Sequence, residues 1–223
     1  MYVPRSFAEN EPGALWDFMD AHPFATLITA TGGLFATHLP LVLQRERGGS
    51  GVLEGHIARA NLHHKLASNP AGAATDALVL FVGPHAHVTP TWYPSKEEHG
   101  RTVPTWNYDT VHAYGTVQFL DDPSFLRRHL AELTGRHEPA RGSSWTAEDA
   151  PADYMAQQLR AIVGVQIVIG RLEGKWKMSQ NRDAADVEGV IHGLRSTGVA
   201  MDEQVAQSVQ EKASRRAERD AAR

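Results

Sequence analysis

Apolar residues in this chain come in short blocks more often than in helical stripes. "FATLITA" (24–30), "VLEGHIA" (52–58), "DALVLFVGPHAHVTP" (76–90), "VHAYGTVQFL" (111–120) and "GVQIVIGRLEGKWKM" (164–178) predict strands, being rich in β-branched and aromatic residues. "LFATHLPLVLQ" (34–44) is a sixth, and the "TGG" before it predicts a hairpin with the strand at 24–30. Pro40 interrupts this run; lacking an N–H, it is expected at an edge or a bulge.

Helical patterns fill the gaps. "MYVPRSFAEN" reads as an extended arm, "PGALWDFMDAHP" as a short helix closed by Pro23, and "NLHHKLASNP" as another ended by Pro70. In "DDPSFLRRHLAELTGRHE", Asp122 is a natural N-cap and Pro123 a natural first residue, with Leu126, Leu130 and Leu133 on one face. "ADYMAQQLRAIV" and "DAADVEGVIHGLRS" are further helices. From Met201 to Arg223 the chain is helix-prone, with five acids and five bases, the pattern of a solvated helix or a frayed end. The expected organisation is one domain over 1–200 and a charged helical tail over 201–223.

Six strands joined by turns and short helices predict a mainly β, α+β architecture: an antiparallel barrel with peripheral helices. The strand–helix alternation of a doubly wound sheet is absent, which removes the usual dinucleotide folds.

The bulk numbers narrow the function. With 223 residues, 42% hydrophobic and 22% charged, the chain has room for one substantial core. A formal net charge of −4 and the lack of a helix-turn-helix pattern weigh against direct DNA binding. Cysteine is absent, so disulfide and thiolate chemistry are excluded. There is no signal-like apolar stretch and no membrane-length apolar run, so a cytoplasmic protein without membrane attachment is expected.

Familiar catalytic motifs fail. "GRLEGK" has glycines one residue too close for a phosphate loop, and Trp176 stands where Ser or Thr is needed. Neither G-x-G-x-x-G nor G-x-S-x-G occurs. Among the 12 histidines, His85 and His87 share a strand face, but no third ligand accompanies them, and no metal site is expected.

Four stretches at strand ends gather polar and aromatic residues: 36–41, 55–61, 89–96 with 103–108, and 174–182. Strand ends of a barrel converge on a rim, so these stretches are candidates for one groove. Arg59, Lys177 and Lys175 would supply cations for a phosphate, with Thr37, Asn61, Ser179 and Gln180 as neutral donors. Backbone groups near Pro40 would hold a planar edge, and Trp92, Tyr93, Trp106 and Tyr108 would form flat walls. Taken singly, each has a plainer reading. Arg59 is an ordinary surface cation, Asn61 a helix cap, and the aromatics core residues with polar tips.

Taken in order, "MYVPRSF", "FATLIT", "ATHLPLVL", "GHIARAN", "ALVLFVGPHAHVTPTWYPSK", "VPTWNYDTVHAYG" and "LEGKWKMSQNR" resemble the PaiB family of FMN-binding negative transcriptional regulators, over Met1 to about Leu194. The resemblance implies a split β-barrel of the kind shared with pyridoxamine-phosphate oxidases and flavin reductases. It also implies a homodimer with FMN at the subunit interface. On that analogy Thr37, His38, Leu39, His56, Arg59 and Asn61 hold the ring edge and phosphate, and Trp92, Trp106, Lys177, Ser179 and Gln180 complete the site. His87 stands where family members often carry an aromatic. The family implies repression of genes for protease production and sporulation; the net charge and the missing helix-turn-helix make an indirect effect, through a partner or metabolite, the expected route. A flavin-dependent oxidoreductase using NAD(P)H is the alternative, and a haem-binding split barrel a weaker one. No residue is assigned a catalytic role.

Overall fold

The computed structural model describes residues 1–67 and 74–221. In order it contains β1 (Ala8–Glu9), α1 (Pro12–Ala21), β2 (Phe24–Thr29), β3 (Phe35–Pro40), β4 (Val42–Gln44), β5 (Val52–Ala58) and α2 (His63–Leu66). Then come β6 (Thr75–Val88), α3 (Ser95–His99), β7 (Thr105–Leu120), α4 (Pro123–His137), α5 (Ala152–Arg160), β8 (Ile162–Lys177), α6 (Ala184–Ser196) and α7 (Ala200–Ala221). The expected end of the "NLHHKLASNP" helix at Pro70 lies outside the described residues.

The strands form one sheet in the order β3-β2-β6-β7-β8-β5-β4, with β1 beside β8. β3 and β4, the two ends of this path, are separated in sequence by Leu41 alone. A sheet whose ends are joined by one residue must curl until they approach, and this is how the chain makes a split antiparallel barrel. The run at 34–44 is therefore two strands, not one. β3 pairs antiparallel with β2, Phe24 opposite Pro40 and Thr29 opposite Phe35. β4 pairs with β5, Val42 opposite Glu54. Pro40 ends the first partnership, and the Leu41 N–H goes to the Pro23 carbonyl at 2.9 Å.

β7 begins at Thr105, six residues before the predicted strand at 111–120. Asn107 and Asp109 hid this extension, because buried polar residues break the apolar pattern; each is paired with a distant serine, Ser179 and Ser208 respectively. The N-terminal arm contributes β1, with Ala8 opposite Lys175.

The residues fall into two compact units. One comprises Pro12–Phe81 and His112–Leu172. Its interior is built from alternating strand positions: Leu27, Leu39, Leu53, Ile57, Val79, Val165 and Ile167 are all buried. Glu54 is fully buried among them, held by Arg128 at 2.8 Å, by Arg47 and by the Gln166 amide at 3.2 Å. Burial pushes its carboxyl up, but these donors outweigh it and hold the pKa below the usual value.

The other unit comprises Met1–Glu11, Val82–Val111 and the chain from Glu173 onward. Here α6 and α7 pack Val187, Val190 and Leu194 against Val205, Ala206 and Val209, together with Val88, Tyr93 and Met178. The stretch after residue 200 is helical as expected, but one side of it is core. A fully buried valine is worth about 1.5–3 kcal/mol, so α7 is anchored by packing while its charges face outward. Among the described residues no helix is long and apolar enough to cross a membrane.

Candidate functional site

In the first unit the candidate residues lie on β3, β5 and the turn after β5. Alternation along β3 sends Leu39 into the core and leaves His38 exposed, with its Nδ1 at 2.9 Å from Thr26 Oγ1 and its ring stacked on Phe24. Thr37 Oγ1 lies 2.8 Å from His63 Nδ1 and accepts from the Asn61 amide at 3.2 Å. Asn61 Oδ1 in turn accepts from the His63 N–H at 3.0 Å, ordering the entry to α2. His63 is fully buried, its Nε2 at 2.9 Å from Thr29 Oγ1 and its ring between Phe35 and Phe119. Burial keeps its pKa low, and with both ring nitrogens on hydroxyls it is not placed to ligate a metal or a haem iron.

His56 turns inward. Its Nδ1 faces His129 Nε2 at 3.1 Å, and His129 Nδ1 is buried with no hydrogen-bond partner. Burial lowers both pKa values, and for His129 the nearby His56 adds to the effect, bringing it to about 4.

Arg59 is positioned from both sides. Its Nε donates to the Arg160 carbonyl at 2.8 Å and its Nη2 to the Ile162 carbonyl at 3.0 Å. The two terminal nitrogens also clasp Asp121, at 3.0 and 2.7 Å. This fork borders a cleft of about 430 Å³ whose floor includes Leu126 and Leu159.

In the second unit Trp106 stands 52% exposed, with the exposed rings of His85 and His87 at 5.8 and 5.9 Å. Lys177 Nζ donates to Thr105 Oγ1 at 2.5 Å and to the Trp106 carbonyl at 2.6 Å. Lys175 is buried against the rings of Tyr2 and Tyr108. Burial, followed by Lys175 and Arg182, lowers the Lys177 pKa.

Ser179, at φ 61°, is the one non-glycine with positive φ among the described residues. That conformation costs about 1–2 kcal/mol and is held by its surroundings. The Ser179 hydroxyl accepts from the Asn107 amide at 2.9 Å, and the Arg182 N–H donates to the Ser179 carbonyl at 2.9 Å. The Gln180 amide is spent on the backbone, donating to the Trp176 carbonyl at 2.5 Å and accepting from the Met178 N–H at 2.6 Å. Trp92 packs on α6 where Gly189 and Gly193 have no side chain; a Cβ on either would overlap it.

Thr37 and Asn61 thus come together, as do Lys177 and Trp106, with Ser179 nearby on the turn after β8. Leu39, His56 and Trp92 are committed to packing, and Gln180 to its own turn. The sequence did not single out His129, Asn107 or Asp121. Only Asp121 carried a signal, as an acid preceding the N-cap Asp122. No group of three or more metal-ligating residues occurs among the described residues.

Residues 1–171 match the family described as "Putative FMN-binding domain". An uncharacterized protein of Aspergillus fumigatus is 34% identical, over 95% of this chain and 97% of that one. The protease synthase and sporulation protein PAI 2 of Bacillus subtilis is 30% identical, over 95% and 98%. Among solved structures, the FAD and heme binding protein from Mycobacterium smegmatis has a TM-score of 0.56 at 20% identity, over 83% of this chain and 80% of that one. The flavocytochrome Anf3 from Azotobacter vinelandii has a TM-score of 0.56 at 15% identity, over 78% and 72%. These two share the fold. With three-quarters of its length matched and full-length relatives at 30% identity and above, the chain belongs to this FMN-binding-domain family, the PaiB type that its sequence resembles.

Proposed function

We propose that the protein is a cytoplasmic, homodimeric FMN-binding regulator of the PaiB type that lowers transcription indirectly. The observation that carries the flavin reading is the Arg59 fork. Two main-chain carbonyls hold it in place, and its terminal nitrogens grip a carboxylate in the two-point manner that also suits a phosphate. Asp121 is exposed and can turn away to solvent when a phosphate arrives. β3, at one end of the sheet path, offers edge backbone groups for the rim of a flat ring.

The donor set therefore fits FMN: Arg59 would take the phosphate, and Thr37 with the β3 backbone the ring edge. Bound FMN would supply electron-transfer chemistry. The protein's part is to orient the ring and hold the phosphate. Dimerisation is supported by Phe24 and Leu34, 70% and 81% exposed in the same unit. The regulatory part rests on the kinship with PAI 2, and its indirect character on the net charge of −4.

The test compares two ligands. Arg59→Ala should weaken FMN binding by about 1.5–3 kcal/mol, the loss of a hydrogen bond to a charged group, and leave riboflavin unchanged. Equal losses for both would remove Arg59 from the phosphate, and a purified protein that retains no flavin absorbance on titration with FMN would remove the reading itself.

A further inference from the structure

The turn after β8 closes one side of a second cavity, of about 160 Å³. Its polar lining includes Lys177, Arg182, Asn107, Ser179 and Tyr93, and Phe7 and Val103 give it an apolar wall. Lys177 and Arg182 lie beyond the segment that matches the FMN-binding family, which ends at residue 171. No carboxylate lines the space. The nearest acid to Arg182, Asp186 at 4.0 Å, already accepts from the Ser95 N–H and hydroxyl at 3.1 and 2.7 Å.

The Tyr93 hydroxyl is the unusual member. Tyr93 is 2% exposed, and its buried hydroxyl lies beside Arg182, whose guanidinium is 4.5 Å from the ring centroid; an arginine can only donate to that oxygen, so the phenol O–H itself is without an acceptor. A buried phenol normally finds a partner. Here a donor, two cations, a serine hydroxyl and an amide border one small space, and no carboxylate of its lining balances them. A tetrahedral oxyanion matches that set: it accepts from Lys177, Arg182 and the Tyr93 hydroxyl, beside Asn107 and Ser179 that bond to each other, and it offsets the charge that crowds Lys177. The space is too small for a flavin but admits an oxyanion with a short carbon stub, for which Phe7 and Val103 provide the wall.

We propose that this cavity is a binding site for phosphate or a small phosphate monoester, separate from the Arg59 fork. Lys177 and Arg182 supply the charge, and Tyr93 supplies the hydroxyl that fixes the orientation.

Calorimetric titration of the full chain with inorganic phosphate, at ionic strength held constant with chloride, tests it. Saturable binding is expected, weakened about tenfold or more in Lys177→Met and a few-fold in Tyr93→Phe, in keeping with losing a charged or a neutral hydrogen bond. Tyr93→Phe removes one oxygen and no packing, so it keeps the test sharp if Lys177→Met folds poorly. No saturable heat at millimolar phosphate, or equal affinity in wild type and Tyr93→Phe, overturns the proposal. Repeating the titration on FMN-loaded protein identifies the source of the ester. Loss of the phosphate heat with FMN but not riboflavin would put the flavin's own phosphate in this cavity and overturn a separate site; persistence supports a second phosphorylated molecule. Because phosphate alone is the probe, failure of the flavin reading would leave this result standing.

Discussion

Arg59 holds Asp121 through both terminal nitrogens, at 3.0 and 2.7 Å, while two backbone carbonyls fix the guanidinium from behind. The hydrogen bond from Arg59 keeps the Asp121 carboxyl below its usual pKa, so at neutral pH it is a charged competitor for the fork. Asp121→Asn should weaken that competitor. FMN binding is expected to tighten a few-fold, the scale of an exposed ion pair, with riboflavin unaffected. Fluorescence titration of both flavins checks it, and weaker FMN binding in the variant would show that Asp121 supports the ligand.

The inward-facing His56–His129 pair predicts acid sensitivity. Unfolded histidine takes up a proton near its ordinary value of 6.5, whereas folded His129 does so only at about 4. Between those values the unfolded chain binds more protons, so stability is full above pH 6.5 and drains as pH falls toward 4. The shift corresponds to about 3 kcal/mol for His129 alone. Urea midpoints across this range should fall less steeply with acid in His129→Leu; identical slopes would contradict the assignment.

Asp109 works in the opposite direction. Burial raises its pKa to about 6, and the hydrogen bond from the Ser208 hydroxyl offsets this only in part. Its other oxygen is buried without a hydrogen-bond partner. The carboxyl thus contributes stability below its unfolded value of 3.8, which is lost as pH rises through 6. Above pH 6 the folded protein carries a poorly solvated charge, and Asp109→Asn should stabilise it by about 1–3 kcal/mol. Thermal unfolding at pH 8 and pH 5 measures this; the gain should shrink at the lower pH.

Gly193 admits Trp92. Because a methyl group there would overlap the indole, Gly193→Ala should cost about 1–3 kcal/mol, the usual penalty of overpacking. It should also change tryptophan emission as the ring is displaced. Unchanged stability and emission would mean that the loop before α3 yields freely.

Local chemistry was legible in the sequence where local chemistry decides. β2, β5, β6 and β8 announced themselves by β-branched and alternating residues, and Asp122 and Pro123 marked the start of α4 as expected. Pro40 signalled an interruption, but not that the halves of its run join opposite ends of the sheet, which is a matter of partners far away in sequence. Arg59 was legible as a cation near a strand end; its clasp on Asp121, 62 residues later, was not. The contact of His56 with His129 was not legible either, because nothing beside His56 reveals a partner 73 residues later. α7 read as solvated because its many charges outweighed Val205, Ala206 and Val209, whose spacing places them along one side.

The single-residue link at Leu41 also bears on how the chain is made. The hairpins β2–β3 and β4–β5 need only the first 58 residues, but the open edge of β5 pairs with Ile162–Val168, more than a hundred residues later. Non-local pairing of this kind slows folding, and an edge left waiting can recruit other chains. During synthesis Val52–Ala58 therefore emerges as an unprotected strand long before its mate leaves the ribosome. Protease sensitivity of stalled nascent chains, falling once β8 has emerged, would record that interval. The last barrel strand thus serves as a timing element, ending the period in which a half-made protein is exposed to aggregation.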